Sequence, residues 1–320
     1  RCVNDASGRC RFQGAVMVAT SELPGEVLGE NPLWLDVENP TAEEMDIIAR
    51  RFGFHPLSVE DALDPRNQRP KLDQYDTYRF LVFYGFSGAD ELDAQEINIF
   101  WASDYVVTVR HGPVESIAEA RRRWSAHERG RDRTSSDLLH VILDTAVDSV
   151  LPLVDDIAEQ VEELEDQVFA RPRAEIATRG QQIRRRLLGL RRVLGPERDV
   201  IVALRRDPLV EEQEETIRYF DDVFDHVSRA ADAVDLERDM VTSVMETYLT
   251  AVSNNLNEVM KTLTIAATIL MTMSLVTGIY GMNFDNMPEL DWALGYPFAL
   301  GVMVAAALAL VFFFRRRRWL

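Results

Sequence analysis

Residues 262–280 read TLTIAATILMTMSLVTGIY, 19 positions without a charge. Whether this stretch is a core helix or a membrane span decides the architecture of the chain. Crossing the hydrocarbon core takes about 20 apolar residues, and a second uncharged run, 292–314, supplies 23. A soluble core has no use for two adjacent charge-free helices of that length, so the pair reads as a membrane hairpin. Lys261 precedes the first span, and Arg315, Arg316, Arg317 and Arg318 follow the second. The loop between them, YGMNFDNMPELD (280–291), carries Asp285, Glu289 and Asp291 but no Lys or Arg. The positive-inside rule then places this basic ring in the cytoplasm and the acidic loop outside.

The two spans differ in chemistry. The first holds Thr262, Thr264, Thr268, Thr272, Ser274 and Thr277, whereas the second has no Ser or Thr. This asymmetry favours a pore-lining first span and a lipid-facing second. Hydroxyls can also bond their own backbone or a neighbouring helix, which is the alternative. Two helices cannot enclose a pore, so a pore needs several copies of the chain related by cyclic symmetry.

Upstream of the first span there is no Pro or Gly between Pro208 and Gly278, and apolar residues recur at helical spacing, as in Tyr219, Phe220, Val223, Phe224 and Val227. One helix over 211–280 would be roughly 105 Å long at about 1.5 Å per residue. On it Asn257, Met260, Thr264, Ala267, Met271, Ser274 and Gly278 share one face, which is the candidate pore wall. A coiled-coil seam is the alternative, and in a symmetric bundle the two coincide.

The rest reads as a soluble mixed domain in a chain of formal net charge −18. That charge gives no basic surface for nucleic acid. Cys2 and Cys10 are too few for a disulfide framework or a structural zinc site. The chain begins at Arg1 with no charged-then-apolar leader, so no signal peptide is expected. Strands are predicted at 14–20, 32–37, 78–86, 96–103 and 105–110, forming one sheet. Thr41 with Glu44 reads as a capping box opening a helix that Gly53 closes. Further helices are predicted around 58–62 and 114–128, then over 135–170 and 173–194. The last pair carries the acidic string DDIAEQVEELED (155–166) and the basic string RRRLLGLRR (184–192), which an antiparallel hairpin would match.

The stretch YGMNF followed by MPEL, the flanking spans and the basic-Trp-Leu end resemble the CorA family of magnesium channels. So do QRPKLDQYDTYRFLVF (68–83), YFDDVFDHV (219–227) and SNNLNEVMKTLTIAATI (253–269). The resemblance implies an α+β (αβα) cytoplasmic domain, a very long stalk helix and a two-helix transmembrane hairpin, assembled as a funnel-shaped homopentamer in the cytoplasmic (inner) membrane with both termini cytoplasmic. The expected organisation is a cytoplasmic α/β domain over 1–130 and a helical hairpin over 131–208. A stalk over 209–280 becomes the first span at 262–280, followed by an extracytoplasmic loop over 281–291, the second span over 292–314 and a basic tail over 315–320. Family pore positions carry over to Asn257, Met260, Leu263, Met271 and Asn283, with Gly281, Met282 and Asn283 as selectivity filter. Family carboxylates of the regulatory metal sites carry over to Glu60, Asp61, Asp144 and Asp222. Ser274 stands where a Thr is common, and Glu246 where an Asp is expected.

The loop chemistry suits such a channel. Mg²⁺ holds its water tightly, and a ring of Asn283 carbonyls offers neutral acceptors to the hydrogens of that water without gripping the metal. Asp285, Glu289 and Asp291 would raise the local cation concentration. Gly281 would let the chain leave the helix there; the alternative for Asn283 is a helix C-cap. A subunit boundary could bring Glu60, Asp61 and Asp222 together, where unscreened they would repel until a divalent ion cancelled the repulsion, clamped adjacent subunits and closed the pore; the alternative is ordinary surface acids.

The leading function is therefore a channel for hydrated Mg²⁺, also Co²⁺ and Ni²⁺, with Mg²⁺ as both cargo and regulator, no organic cofactor, and lipid, divalent cations and further copies of the chain as partners. A zinc transporter of the same superfamily is an alternative, although no His or Cys lies in or beside the spans. A non-transporting tethered sensor or scaffold is another. An enzyme is not expected, because no phosphate loop, nucleophile elbow or metalloprotease helix is present.

Overall fold

The computed structural model describes the chain except residues 1, 5–9, 13–23, 31, 65–67, 88–92, 127–132, 171–172, 212–213, 283–291, 293 and 320. The strand predicted at 14–20 lies outside the described residues. The chain divides into two compact units, residues 1–164 with 178–242, and residues 165–177 with 243–320.

In the first unit, β1 (Cys2–Asn4) and β2 (Cys10–Phe12) form a short antiparallel ribbon. A six-stranded sheet follows from β3 (Glu26–Glu30), β4 (Leu33–Glu38), β5 (Lys71–Gln74), β6 (Arg79–Ser87), β7 (Asp93–Trp101) and β8 (Tyr105–Arg110). Its order is β3-β4-β8-β7-β6-β5, and only β4 with β8 is parallel, from Leu33 opposite Tyr105 to Glu38 opposite Arg110. Four of the predicted strands are present; β3 and β5 are additional, short and rich in charge, so they lack the apolar alternation that marks a strand.

Between β4 and β5 run α1 (Ala42–Phe52) and α2 (Pro56–Leu63). The predicted capping box forms: the Glu44 amide donates to Thr41 Oγ1 at 3.2 Å and the Thr41 amide to Glu44 Oε2 at 2.8 Å. Gly53 ends the helix at φ 74°, a left-handed conformation that needs no Cβ. After β8 come α3 (Glu115–Ala126) and α4 (Ser135–Asp148). Alternation along β7 splits its side chains between two layers. Phe100 stacks on Phe54, which lies between α1 and α2, at 4.0 Å between ring centroids, while the Trp101 indole N–H donates to Ser135 of α4 at 3.2 Å. Both faces of the sheet are therefore covered, as the αβα class requires, and Phe80, Leu81, Phe83, Ile97, Ile99 and Phe100 are fully buried.

The half of β6 beyond β5 has an open edge, and side chains close it. The Tyr84 amide donates to Glu197 Oε1 and the Phe86 amide to Ser149 Oγ, both at 2.9 Å. The two amides are two residues apart, as the strand period demands, so this edge offers no ladder to another strand. At Gly85 between them, a Cβ would meet Ser116 Oγ of α3 at 2.3 Å, so only glycine lets α3 approach.

The helix predicted over 135–170 is two helices, α4 and α5 (Leu151–Ala170), separated at Ser149 and Val150. Pro152 explains the break: it has no N–H for the preceding turn, but the second position of a new helix needs none. Conversely, α6 (Ala174–Leu204) does not stop at 194 but runs through Gly195 and Pro196. Its buried positions Ile183, Leu187, Leu190, Leu194, Glu197, Ile201 and Leu204 alternate three and four apart, and that heptad seam holds the helix together across the single hydrogen bond Pro196 forfeits.

A short α7 (Pro208–Glu211) leads into α8 (Glu214–Tyr280), which is one uninterrupted helix of 67 residues. Thr216, Phe220, Val223, Val227, Ala230, Val234, Glu237 and Val241 continue the same spacing, and Val154, Ile157, Val161 and Leu164 do so on α5. Ion pairs fix the directions. Arg186 bonds Asp156 and Arg179 bonds Glu163, each at 3.1 Å, so α5 and α6 are antiparallel and the acidic and basic strings match. Arg191 pairs with Asp235 at 3.1 Å and Arg205 with Asp221 at 2.5 Å, so α6 and α8 are antiparallel too.

In the second unit, the C-terminal part of α8 and α9 (Gly295–Arg316) are long and apolar enough to cross a membrane. With 22 residues, α9 is roughly 33 Å long, close to a hydrocarbon core of about 30 Å. Arg318 sits at φ 57°; its amide donates to the Arg315 carbonyl at 3.1 Å and the Trp319 amide to the Phe314 carbonyl at 3.0 Å. This double bond pattern, with Trp319 stacked on Phe314 at 5.7 Å, is a Schellman stop for α9 built on Arg instead of Gly.

Candidate functional site

Two sites were expected: an ion path along α8 and a set of cytoplasmic carboxylates. On α8, Asn257, Met260, Leu263, Thr264, Ala267, Met271, Ser274 and Gly278 are all exposed in the single chain, Met271 to 75 %. Covered or half-covered positions are Ile265, Thr268, Ile269, Thr272, Met273, Val276 and Tyr280. At about 100° per residue the two sets occupy different sides of the helix. Exposed apolar side chains such as Leu263, Met271 and Leu275 give the uncovered sides a surface that water does not suit.

The threonine hydroxyls bond their own helix. Thr264 donates to the Met260 carbonyl at 2.7 Å, Thr268 to Thr264 and Thr272 to Thr268 at 2.8 Å, and Thr262 and Thr277 to the carbonyls four residues back at 3.0 Å. The alternative weighed for these residues is thus the geometry found. Each hydroxyl hydrogen is spent on the backbone, and what remains on the surface is an oxygen acceptor.

At the end of α8 the Gly281 amide donates to the Thr277 carbonyl at 2.9 Å, and a Cβ on Gly281 would lie 3.0 Å from that oxygen. Glycine lets the helix close there in a tight turn through Met282. Asn283, Asp285, Glu289 and Asp291 lie outside the described residues. Lys261 is exposed, and Arg315 and Arg316 occupy the last turn of α9, where positive charge complements the helix dipole.

Of the four carboxylates expected to hold regulatory metal, Glu60, Asp61, Asp144 and Asp222, two come together. Asp144 on α4 and Asp222 on α8 both approach His226: Nδ1 is 3.6 Å from Asp144 Oδ1, and Nε2 is 3.8 Å from Asp222 Oδ1. Asp148, one turn beyond Asp144, lies 3.5 Å from the same Nδ1. Asp144, Asp148 and His226 can each offer a ligand atom within 4.8 Å of the others. Asp144 Oδ1 and His226 Nδ1 are buried without a hydrogen-bond partner. Burial, with Asp148 nearby, raises the Asp144 pKa, and burial lowers that of His140 beside it. Two carboxylates and an imidazole suit a borderline divalent ion as well as Mg²⁺.

Within the single chain, two of these acids already have a cationic partner. Arg123 on α3 bonds Asp144 and Asp148, each at 3.0 Å, and Lys71 Nζ lies 2.6 Å from Asp61 Oδ2. A buried or half-buried carboxylate is costly unless paired, and the fold supplies a cation to each. Among the described residues no hydrogen bond or ion pair joins Glu60 or Asp61 to Asp144 or Asp222; Glu60 is exposed on α2. Asp148, His226 and Arg123 were missed by sequence reasoning, although Asp144 with Asp148 and Asp222 with His226 are both four apart and share helix faces.

Residues 29–316 match the family of CorA-like Mg²⁺ transporter proteins. The chain is 36 % identical over 299 residues to the cobalt/magnesium transport protein CorA of Thermotoga maritima, covering 90 % of this chain and 84 % of that one. The fold is similar to the complete structure of the CorA magnesium transporter from Methanocaldococcus jannaschii, with TM-score 0.80, 24 % identity and coverage of 90 % and 91 %. It is also similar to full-length CmaX, with TM-score 0.74, 25 % identity and coverage of 98 % and 94 %.

Proposed function

The chain belongs to the CorA-like Mg²⁺ transporter family, and on that premise we propose that it is a homopentameric channel passing hydrated Mg²⁺, with Co²⁺ and Ni²⁺, into the cytoplasm. The observation that carries this reading is the uncovered side of α8 from Asn257 to Gly278. One chain leaves that side bare, and copies arranged around an axis would turn it into a wall. The wall would present the thioethers of Met260 and Met271 between the polar Asn257, Thr264 and Ser274, and Thr264 would offer an acceptor oxygen because its hydrogen is already bonded to the Met260 carbonyl. Acceptors suit a cation that arrives with its water, whose hydrogens point outward. Asn283 would supply the narrowest such ring, with Gly281 and Met282 shaping the turn that leads to it, and Asp285, Glu289 and Asp291 would concentrate cations at the mouth.

Closure by internal Mg²⁺ fits the cytoplasmic acids. Asp144, Asp148 and Asp222 with His226 form one donor set, and Glu60 with Asp61 would add oxygens from a neighbouring copy. A bound divalent cation would neutralise acids of two subunits at once and so favour the state in which they are close. The protein would sit in the cytoplasmic membrane with both ends of its hairpin inside.

The test is Mg²⁺ flux into liposomes holding only this protein, read by an internal magnesium dye, with the assembly's mass measured in the same preparation. Saturable uptake by a pentamer is expected. A monomer, or vesicles no leakier to Mg²⁺ than empty ones, would refute the reading.

A further inference from the structure

A cleft of about 720 Å³ lies along α6 where it passes the segment before β5. Its lining includes Arg69 from that segment and Arg191, Arg192 and Arg198 from α6. Helix geometry explains the convergence: Arg191 and Arg198 are two turns apart on one face, and Arg192 lies beside them. Arg191 is neutralised by Asp235 at 3.1 Å. Arg69, Arg192 and Arg198 are exposed and have no carboxylate partner among the described residues. The lining contains one acid, Asp199, against these three free guanidinium groups.

Such a pocket is unusual in a chain of net charge −18, whose surface acids outnumber its cations. Like charges are normally dispersed or paired; gathered in a concavity they focus a positive potential. Glu197, between lining residues Pro196 and Arg198, does not cancel it. Burial pushes its carboxyl up to about 8, so at pH 7 it is mainly protonated. The volume lies in the range of small-molecule sites, far above what a single phosphate needs. Planar guanidinium forks match phosphate oxygens two at a time.

We infer that this cleft binds a polyphosphate anion of nucleoside-triphosphate size through Arg69, Arg192 and Arg198. The site is separate from the acids around His226 and does not depend on the transport reading.

Full-length protein in detergent, in EDTA to keep divalent ions from the ligand, is titrated calorimetrically with ATP, inorganic tripolyphosphate and adenosine. Saturable binding of both phosphates, and none of adenosine, is expected, weakening as salt is raised. Equal affinities would identify the phosphate chain as all that is read, and tighter ATP would show that the nucleoside is read as well. Arg192→Gln with Arg198→Gln should weaken both by about tenfold or more, the loss of charge-assisted bonds. Arg229→Gln, an exposed arginine elsewhere on α8, should leave binding unchanged. Thermal midpoints confirm that the variants are folded. Failure of tripolyphosphate to bind wild type, or undiminished binding by the double variant, overturns the inference.

Discussion

Lys71 Nζ lies 2.6 Å from Asp61 Oδ2 and 2.7 Å from Asp73 Oδ2. Burial works against the ammonium, but the hydrogen bonds it donates to both acids outweigh it and raise its pKa. A carboxylate proposed to sense internal Mg²⁺ therefore carries a tethered cation of its own.

That tether competes with metal. Replacing it by Lys71→Gln should let Asp61 hold a divalent ion more tightly, so the pore should close at an internal Mg²⁺ about fivefold lower, given a half-exposed pair worth roughly 1 kcal/mol. Lys71→Arg should behave as wild type. Flux against internal Mg²⁺ measures the shift, and a closing range unmoved or moved upward would show that Asp61 is not a ligand.

Asp61→Asn with Asp222→Asn should leave conduction intact while abolishing closure by internal Mg²⁺. Limited proteolysis of α8 gives a second readout, since wild type should become protected as Mg²⁺ rises. Closure of the double variant over the wild-type range would place the sensor elsewhere.

Asn283→Ala should abolish Mg²⁺ flux in a protein that still assembles, because it would remove the neutral acceptors proposed for the mouth. Wild-type uptake by the purified variant contradicts the filter assignment.

The Glu197 carboxyl stands near 8 in the fold against an ordinary 4.5. The folded state thus binds the extra proton, and its contribution to stability is fully present below pH 4.5 and lost as pH rises through 8. Glu197→Gln keeps an acceptor for the Tyr84 amide without the titration. Its thermal midpoint should match wild type near pH 5 and exceed it by several degrees near pH 9, an effect on the order of a few kcal/mol. Parallel midpoints across that range would mean Glu197 titrates normally.

A cysteine introduced within 284–291 should be labelled from outside intact cells, and one replacing Arg317 should not. Outside labelling of the tail reverses the topology.

Much of the fold could be read from residue order. The near-continuous aromatic and β-branched runs in 79–87 and 105–110 mark strands buried on both faces, and Thr41, Glu44 and Gly53 mark a helix at both ends. The division at Ser149 was hidden because Leu151 and Val154 continue a helical pattern across it, leaving Pro152 as the only sign. The persistence of α6 through Pro196 was hidden for the opposite reason: a local breaker was visible, and the tertiary seam that overrides it was not. Among the acids, sequence gave no way to foresee Lys71 on Asp61 or Arg123 on Asp144. Those pairs join residues 10 and 21 apart through the sheet and helix packing.

The seam between α6 and α8 limits how α8 can act as a lever. Knobs seated three and four apart find new holes only after a whole heptad, a slip of roughly 10 Å. The bridges Arg191–Asp235 and Arg205–Asp221 pin the seam at two points fourteen residues apart on each helix. A shorter axial slide would unseat every knob and both bridges together. The seam therefore favours a tilt, twist or bend of α8 over an axial slide past α6.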